Sequence, residues 1–190
     1  KISVGSSDFA EYRKGDYYYV DKTGLIEELL KTPGIKVTLI TRPRRFGKTM
    51  NMSMLAEFFD IRKDSRPIFS GLKIADNKEL CEAWMNQWPV IHVTFRSVFG
   101  SCFKDAYSMI EAVIAELYKQ HIYLLENPEM MVYDREIFDR IAGKKASGEE
   151  IKNSLLFLTR LLGQYYGKTV ILLCLLLRPV IRDIMRKCCM

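Results

Sequence analysis

The sequence predicts an α/β fold in which helices alternate with the strands of a parallel sheet. Three short runs rich in aliphatic and β-branched residues predict strands at residues 37–41, 90–95 and 169–173. Segments with helical periodicity separate these runs, which is the alternation that parallel sheets require. At 190 residues, the chain is long enough to bury a substantial core.

The N-terminal part contains the most informative order of elements. Residues 1–16 are predicted to be an irregular lead-in, residues 17–20 a short extended segment, and Thr23 the cap of a helix over residues 24–31. Residues 37–41 predict a strand buried on both faces. A loop with Pro43 follows, and residues 48–61 predict a helix whose apolar stripe consists of Met50, Met54, Leu55, Phe58 and Phe59.

The C-terminal part continues the alternation of helices and strands. Helical periodicity predicts helices over residues 79–87, 105–126, 133–141 and 151–166. Residues 143–148 predict a polar turn, and Gly167 is expected to end the last helix before the third strand.

The overall composition excludes few classes of function. The net charge of +6 is mild and spread along the chain, so it permits nucleic acid as a partner without arguing for one. The five cysteines form no Cys-x-x-Cys pair, which favours reduced thiols in a cytoplasmic protein without a metal site. Residues 1–8 do not resemble a signal peptide, and the most apolar run, residues 170–177, is too short to span a bilayer.

The loop before the second predicted helix has the pattern of a phosphate-binding loop. Gly47, Lys48 and Thr49 match its second half, whereas Arg42 stands where the first glycine is usual. An anion at this place would meet backbone N–H groups and the positive end of the helix dipole. We expect the Lys48 ammonium to contact the β- and γ-phosphates and the Thr49 hydroxyl to bind Mg²⁺. The predicted binding set is Arg42, Arg44, Arg45, Phe46, Gly47, Lys48, Thr49 and Met50.

Two alternatives limit the weight of this motif when it is taken alone. A basic surface loop before an ordinary helix has the same residue types. A second Gly-Lys-Thr triplet, at residues 167–169, precedes a strand and therefore cannot offer a helix N-terminus to phosphate.

A run of tyrosines near basic residues permits two interpretations. It either forms a patch for single-stranded nucleic acid or buries alternate rings in the core; the run is Tyr17, Tyr18 and Tyr19.

Four segments together resemble the predicted AAA-ATPase family over roughly residues 4–173. They are residues 37–49 with Asn51, Ser53, Met54 and Leu55; residues 19–23 with Leu25 and Ile26; residues 58–60; and residues 88–91. The resemblance implies a three-layer P-loop NTPase core that binds ATP and Mg²⁺, with arginine normal at position 42. Longer members often carry a PD-(D/E)XK nuclease domain after this core.

The resemblance does not assign a role to Asp21 and Lys22, which match a family motif. Contact with the nucleotide or its loop is one interpretation. A polar anchor for the N-terminal segment is the other.

The chain departs from the family pattern after the third predicted strand. The resemblance implies an Asp-Glu pair there, which holds the magnesium shell and orients the attacking water, but this chain has Cys174, Leu175, Leu176 and Leu177. We therefore predict an ATPase-like domain over residues 1–173, truncated at its C-terminal side, and a divergent tail over residues 174–190. A frameshifted or truncated gene product is our hypothesis for this tail, and a genuinely divergent end is the alternative. The expected function is ATP binding with little or no hydrolysis and no assigned catalytic residue; the rivals are a non-enzymatic nucleotide-binding fragment and a nucleic-acid-binding module.

Overall fold

The chain has an α/β fold whose described residues divide into two compact units, within residues 1–90 and 91–190. The computed structural model describes residues 7–15, 17–31, 37–41, 43, 46–100 and 102–175. The helices are α1 (Phe9–Lys14), α2 (Gly24–Leu30), α3 (Lys48–Phe59), α4 (Arg66–Phe69), α5 (Lys78–Trp84), α6 (Phe103–Lys119), α7 (Val132–Ala142) and α8 (Gly148–Tyr166). Two 3₁₀ helices cover Lys73–Asp76 and Ile122–Glu126, and the strands are β1 (Val90–Thr94) and β2 (Ile171–Leu175).

Helix α3 is the centre of the first unit. Its predicted apolar stripe is confirmed for Met54, Leu55, Phe58 and Phe59, all of which are buried. Phe69 from α4 lies against Phe58 with ring centroids 5.4 Å apart in an edge-to-face arrangement. The second half of α3 is therefore fixed by core packing, which leaves its first turn at the edge of the unit.

Polar contacts fix the end of α3. Asn86 adopts a left-handed backbone (φ 56°), and its side-chain amide donates to the carbonyls of Glu57 at 3.1 Å and Asp60 at 2.9 Å. The Ser65 hydroxyl donates to the same Glu57 carbonyl at 2.7 Å. These bonds satisfy carbonyls that the helix end would otherwise leave without partners.

The second unit packs α6 against α7 and α8. Tyr118 of α6 is fully buried, and its hydroxyl donates to the Ser154 carbonyl of α8 at 2.7 Å. Ser147 and Glu150 form a capping box at the start of α8, and Gly167 (φ 61°) ends that helix as predicted. Strands β1 and β2 form a parallel pair.

The predicted first strand, residues 37–41, is wrong for this structure. These residues adopt no strand, and Val37 and Leu39 are each 84% exposed. A strand buried on both faces requires ladder partners on neighbouring strands. No partner for residues 37–41 lies among the residues that the structure describes, where the sheet contains β1 and β2 alone.

The predicted irregular lead-in contains a helix. Asp8 caps α1 by accepting a hydrogen bond from the Glu11 amide at 2.8 Å, and Phe9 is fully buried. Residues 17–20 form no strand. Thr23 precedes α2 as expected but makes no capping bond, and its hydroxyl accepts from the Ile74 amide instead.

The remaining elements agree in type with the sequence predictions but differ in their bounds. The helix predicted over residues 105–126 is divided into α6 and the 3₁₀ helix Ile122–Glu126. The strand predicted over residues 169–173 is β2, which lies two residues later. Within the described ranges, no helix has the length and apolar character needed to cross a membrane.

Candidate functional site

The first turn of α3 has the geometry of an anion-binding helix start. Gly47 precedes it in the left-handed conformation (φ 75°, ψ 21°), which favours glycine because it has no Cβ. The first helical bond runs from the Asn51 amide to the Gly47 carbonyl at 2.8 Å. The amides of residues 48–50 therefore come before the first helical hydrogen bond. Their N–H groups point out of the N-terminal end of α3, which is the positive end of the helix dipole.

The structure brings part of the predicted binding set together. Gly47, Lys48, Thr49 and Met50 form the start of α3, and all four are partly exposed. Phe46 comes directly before them and is 57% exposed. The other predicted members, Arg42, Arg44 and Arg45, lie outside the described residues.

Lys22 lies beside this helix start. Its Nζ atom is 3.3 Å from the point where a Cβ atom would stand on Gly47. The Oδ1 atom of Asn51 is 3.9 Å from the same point. Sequence reasoning identified Lys22 as part of a family motif but left its role open, and it gave Asn51 no role at all.

Asp21 anchors the N-terminal segment within the fold. Its Oδ1 accepts hydrogen bonds from the amide and the hydroxyl of Thr23, at 2.8 and 2.7 Å, and its Oδ2 accepts from the Lys73 amide at 2.7 Å. Thr23 is fully buried, and its hydroxyl also accepts from the Ile74 amide at 3.2 Å. Burial raises the pKa of Asp21, but the bonds from Lys73 and Thr23 outweigh it and lower the pKa below its ordinary value.

We expect Asp21→Asn to destabilise the fold without abolishing any ligand binding at α3. The amide can replace only one carboxylate oxygen as an acceptor, so one donor loses a bond worth roughly 0.5 to 1 kcal/mol, since Asp21 is exposed and water can replace the lost acceptor. Because the pKa of Asp21 is lowered, its contribution is present at neutral pH and is lost as the pH falls through that lowered pKa. Urea unfolding at pH 7 measures the effect.

The matched control for this variant is Asp64→Asn, which changes an exposed carboxylate of the same unit. Equal stability of the Asp21 and Asp64 variants, with binding lost in the first alone, would place Asp21 in the binding site instead of the scaffold.

Side-chain contacts hold the N-terminal segment against α3. The Phe9 amide donates to Ser53 Oγ at 2.9 Å, and the Tyr19 hydroxyl donates to Met54 Sδ at 3.3 Å. Tyr18 is 74% exposed whereas Tyr19 packs edge-on against Phe9, as alternate burial of the tyrosines predicts. The guanidinium of Arg13 donates to two backbone carbonyls of the same unit, at 2.8 and 2.9 Å.

A separate expectation from the resemblance concerns the end of β2. The strand runs through Cys174 to Leu175, so apolar or thiol side chains occupy the place where the resemblance implies acids. Leu175 is 6% exposed. Residues 176–190 lie outside the described part of the chain, and the prediction of a frameshifted tail stays a prediction.

Comparison with known proteins identifies the family. The model of the family described as "Predicted AAA-ATPase" matches residues 3–174, which is most of the chain. A protein from Azotobacter chroococcum mcd 1, named "Uncharacterized protein in vnfD 5'region", is 39% identical over 118 residues. That match covers 62% of this chain but 20% of the relative, so the chain corresponds to a small part of that protein. No solved structure matches. The chain therefore belongs to the predicted AAA-ATPase family.

Proposed function

We propose that this chain binds the polyphosphate of ATP at the start of α3, as the core of a P-loop NTPase, and hydrolyses it slowly or not at all. The observation that carries the proposal is the left-handed Gly47 directly before Lys48 and Thr49 at the start of a 12-residue helix. This arrangement supplies backbone N–H donors, a helix dipole and a lysine to one anion. Membership of a predicted AAA-ATPase family favours ATP as that anion.

Each residue of the helix start has a distinct task in this proposal. Gly47 allows the phosphates to approach the backbone, because a Cβ atom there would occupy their path. The Lys48 ammonium neutralises phosphate charge, and the Thr49 hydroxyl is the protein's own ligand for Mg²⁺. Arg42, Arg44 and Arg45 add positive charge from the preceding loop.

The donor set fits a magnesium nucleotide. Mg²⁺ prefers hard oxygen ligands and usually keeps several waters while it binds phosphates and one or two protein groups. Thr49 supplies such an oxygen at the helix start. The described residues contain no cluster of three or more His, Cys, Asp or Glu side chains that could hold a metal by themselves. A magnesium ion at this site would accordingly depend on the phosphates.

Competition with phosphate-free and polymeric ligands tests the proposal. A fluorescent ATP analogue is titrated into the purified chain, and unlabelled ATP, adenosine and single-stranded DNA are then added separately. We expect ATP to displace the analogue, whereas adenosine at the same concentration does not, because the site recognises phosphate. Displacement by DNA that disappears steeply with added salt would instead favour a nucleic-acid-binding surface. No binding of the analogue by the folded chain would refute the proposal.

Thr49→Ala is expected to remove the magnesium-dependent part of ATP affinity. The variant should bind ATP in the presence of Mg²⁺ at least about tenfold more weakly, since losing even an outer-shell partner of a metal commonly costs that much. Affinity measured with EDTA should change little. Thr49→Ser, which keeps the hydroxyl, is the matched control. Equal magnesium dependence in the alanine variant would mean that another group binds the metal.

A further inference from the structure

The exposed residue Lys22 places its ammonium beside the start of α3. Its Nζ is 3.3 Å from the Cβ position of Gly47, at the positive end of the α3 dipole. The first turn of α3 carries no acidic side chain. None of the ion pairs among the described residues neutralises the charge of Lys22. Those pairs are Asp60 with Arg62, Glu57 with Lys63, Asp134 with Arg160 and Glu150 with Arg140. A cation in this position is stabilised when an anion binds beside it.

Asn51 supplies a second acceptor beside the Lys22 ammonium. Its Oδ1 atom is buried, has no hydrogen-bond partner among the described residues, and is 3.9 Å from the same Cβ position of Gly47. Buried acceptors in native structures are usually satisfied, and because phosphate oxygens are themselves acceptors, the donor that Asn51 Oδ1 needs has to come from a group such as the Lys22 ammonium. A lysine ammonium has three donors, which is enough to serve Asn51 and a phosphate together.

We propose that Lys22 is a second phosphate-binding lysine of the nucleotide site, supplied by the N-terminal segment. In the complex its ammonium donates to a phosphate oxygen and to Asn51 Oδ1. The inference rests on the proposed function, and it specifies the ligand class as a nucleoside polyphosphate bound between Lys22 and Lys48. Asp21 holds Thr23 and the Lys73 amide, so it fixes the backbone from which Lys22 extends.

Affinities of four variants test this assignment. We expect Lys22→Ala to weaken ATP binding on the order of tenfold, the scale of one lost hydrogen bond to a charged group. Lys22→Arg, which keeps the charge, should retain most of the affinity. Lys14→Ala changes an exposed lysine of the same segment and should bind as the wild type does. Lys48→Ala, with the wild type, reports on the proposed function independently.

The outcomes separate the two proposals. ATP binding that requires Lys48 but is unchanged in Lys22→Ala would overturn the role of Lys22 and leave the proposed function standing. Failure of the wild type to bind ATP would overturn both. A lower melting temperature in Lys22→Ala with wild-type affinity would mean that the lysine only stabilises the fold, which also overturns the assignment.

Chemical protection of the lysine gives a readout that a purely structural role would not produce. The chain is acetylated under limiting conditions, and the modification of each lysine is measured by mass spectrometry. We expect ATP and inorganic tripolyphosphate to protect Lys22, whereas adenosine does not. Lys31, an exposed lysine at the end of α2, serves as the internal control. Equal modification of Lys22 with and without tripolyphosphate would contradict the proposal.

Discussion

Lys48→Ala is expected to lower the affinity for ATP on the order of 100-fold, because charge-assisted hydrogen bonds to phosphate are the strongest that the site can make. Lys48 is the first residue of α3 and is partly exposed, so the free energy of unfolding should change by no more than roughly 0.5 kcal/mol. Titration with a fluorescent ATP analogue measures the affinity, and urea unfolding measures the stability.

Lys78→Ala is the matched control for this variant. Lys78 is also the first residue of a helix in the same unit, but α5 begins after Asn77, whose side chain caps it by accepting from the Leu80 amide. We expect Lys78→Ala to bind ATP as the wild type does. A folded Lys48→Ala variant with unchanged affinity would show that the helix start of α3 is not the nucleotide site.

The wild-type chain is expected to turn over ATP far more slowly than an ordinary ATPase. The helix start of α3 is the proposed phosphate site, but the sequence from Cys174 to Leu177 offers no carboxylate to hold a magnesium-bound water or to orient an attacking one. Loss of a group that acts as general base or positions water typically costs on the order of 10²–10⁴ in rate.

Phosphate release at saturating ATP and Mg²⁺ measures this turnover, with Lys48→Ala as the measure of contaminating activity. A rate near the common enzymatic scale of roughly 1 s⁻¹ or more, abolished in Lys48→Ala, would mean that an acid elsewhere in the chain completes the site. A rate equal to that of Lys48→Ala, together with tight ATP binding by the wild type, is the expected result.

Helices with long periodic patterns could be predicted from the sequence. Apolar residues recur with helical spacing along α6 and α8, and the capping residues of α8 identify its ends. By contrast, α1 has six residues and buries only Phe9, so it presents no periodicity to detect. Contacts with α3 and α4 also stabilise it, and the sequence of α1 does not reveal them.

Strand formation at residues 37–41 could not be predicted because it depends on other segments. The run has the composition of a buried parallel strand, yet ladder hydrogen bonds come from neighbouring strands that are distant in sequence. β1 and β2 pair although α6, α7 and α8 lie between them in the sequence. Residues 37–41 have no such partner among the described residues. Composition establishes that a segment is suited to a strand, and tertiary pairing decides whether it becomes one.

In the candidate site, too, the features set by consecutive residues could be predicted from the sequence, whereas contacts between distant residues could not. The Gly-Lys-Thr triplet located the helix start, because its chemistry lies within three consecutive residues. The different roles of the neighbours Asp21 and Lys22 required coordinates, since the carboxylate of Asp21 bonds within its own loop and to Lys73, while Lys22 extends to Gly47. Two adjacent residues of one motif therefore serve stability and the proposed binding separately.

The position of α3 in the first unit couples ligand affinity to folding. Its first turn is the proposed anion site, while residues 53–59 of the same helix are buried in the core. A nucleotide that binds only the folded unit would stabilise it by about 2.7 kcal/mol at a concentration 100 times its Kd. In return, a substitution at Phe58, far along the helix from any phosphate, would lower the apparent affinity by reducing the folded fraction. The proposed affinities of destabilised variants would accordingly contain a folding equilibrium, so binding and stability should be measured on the same sample.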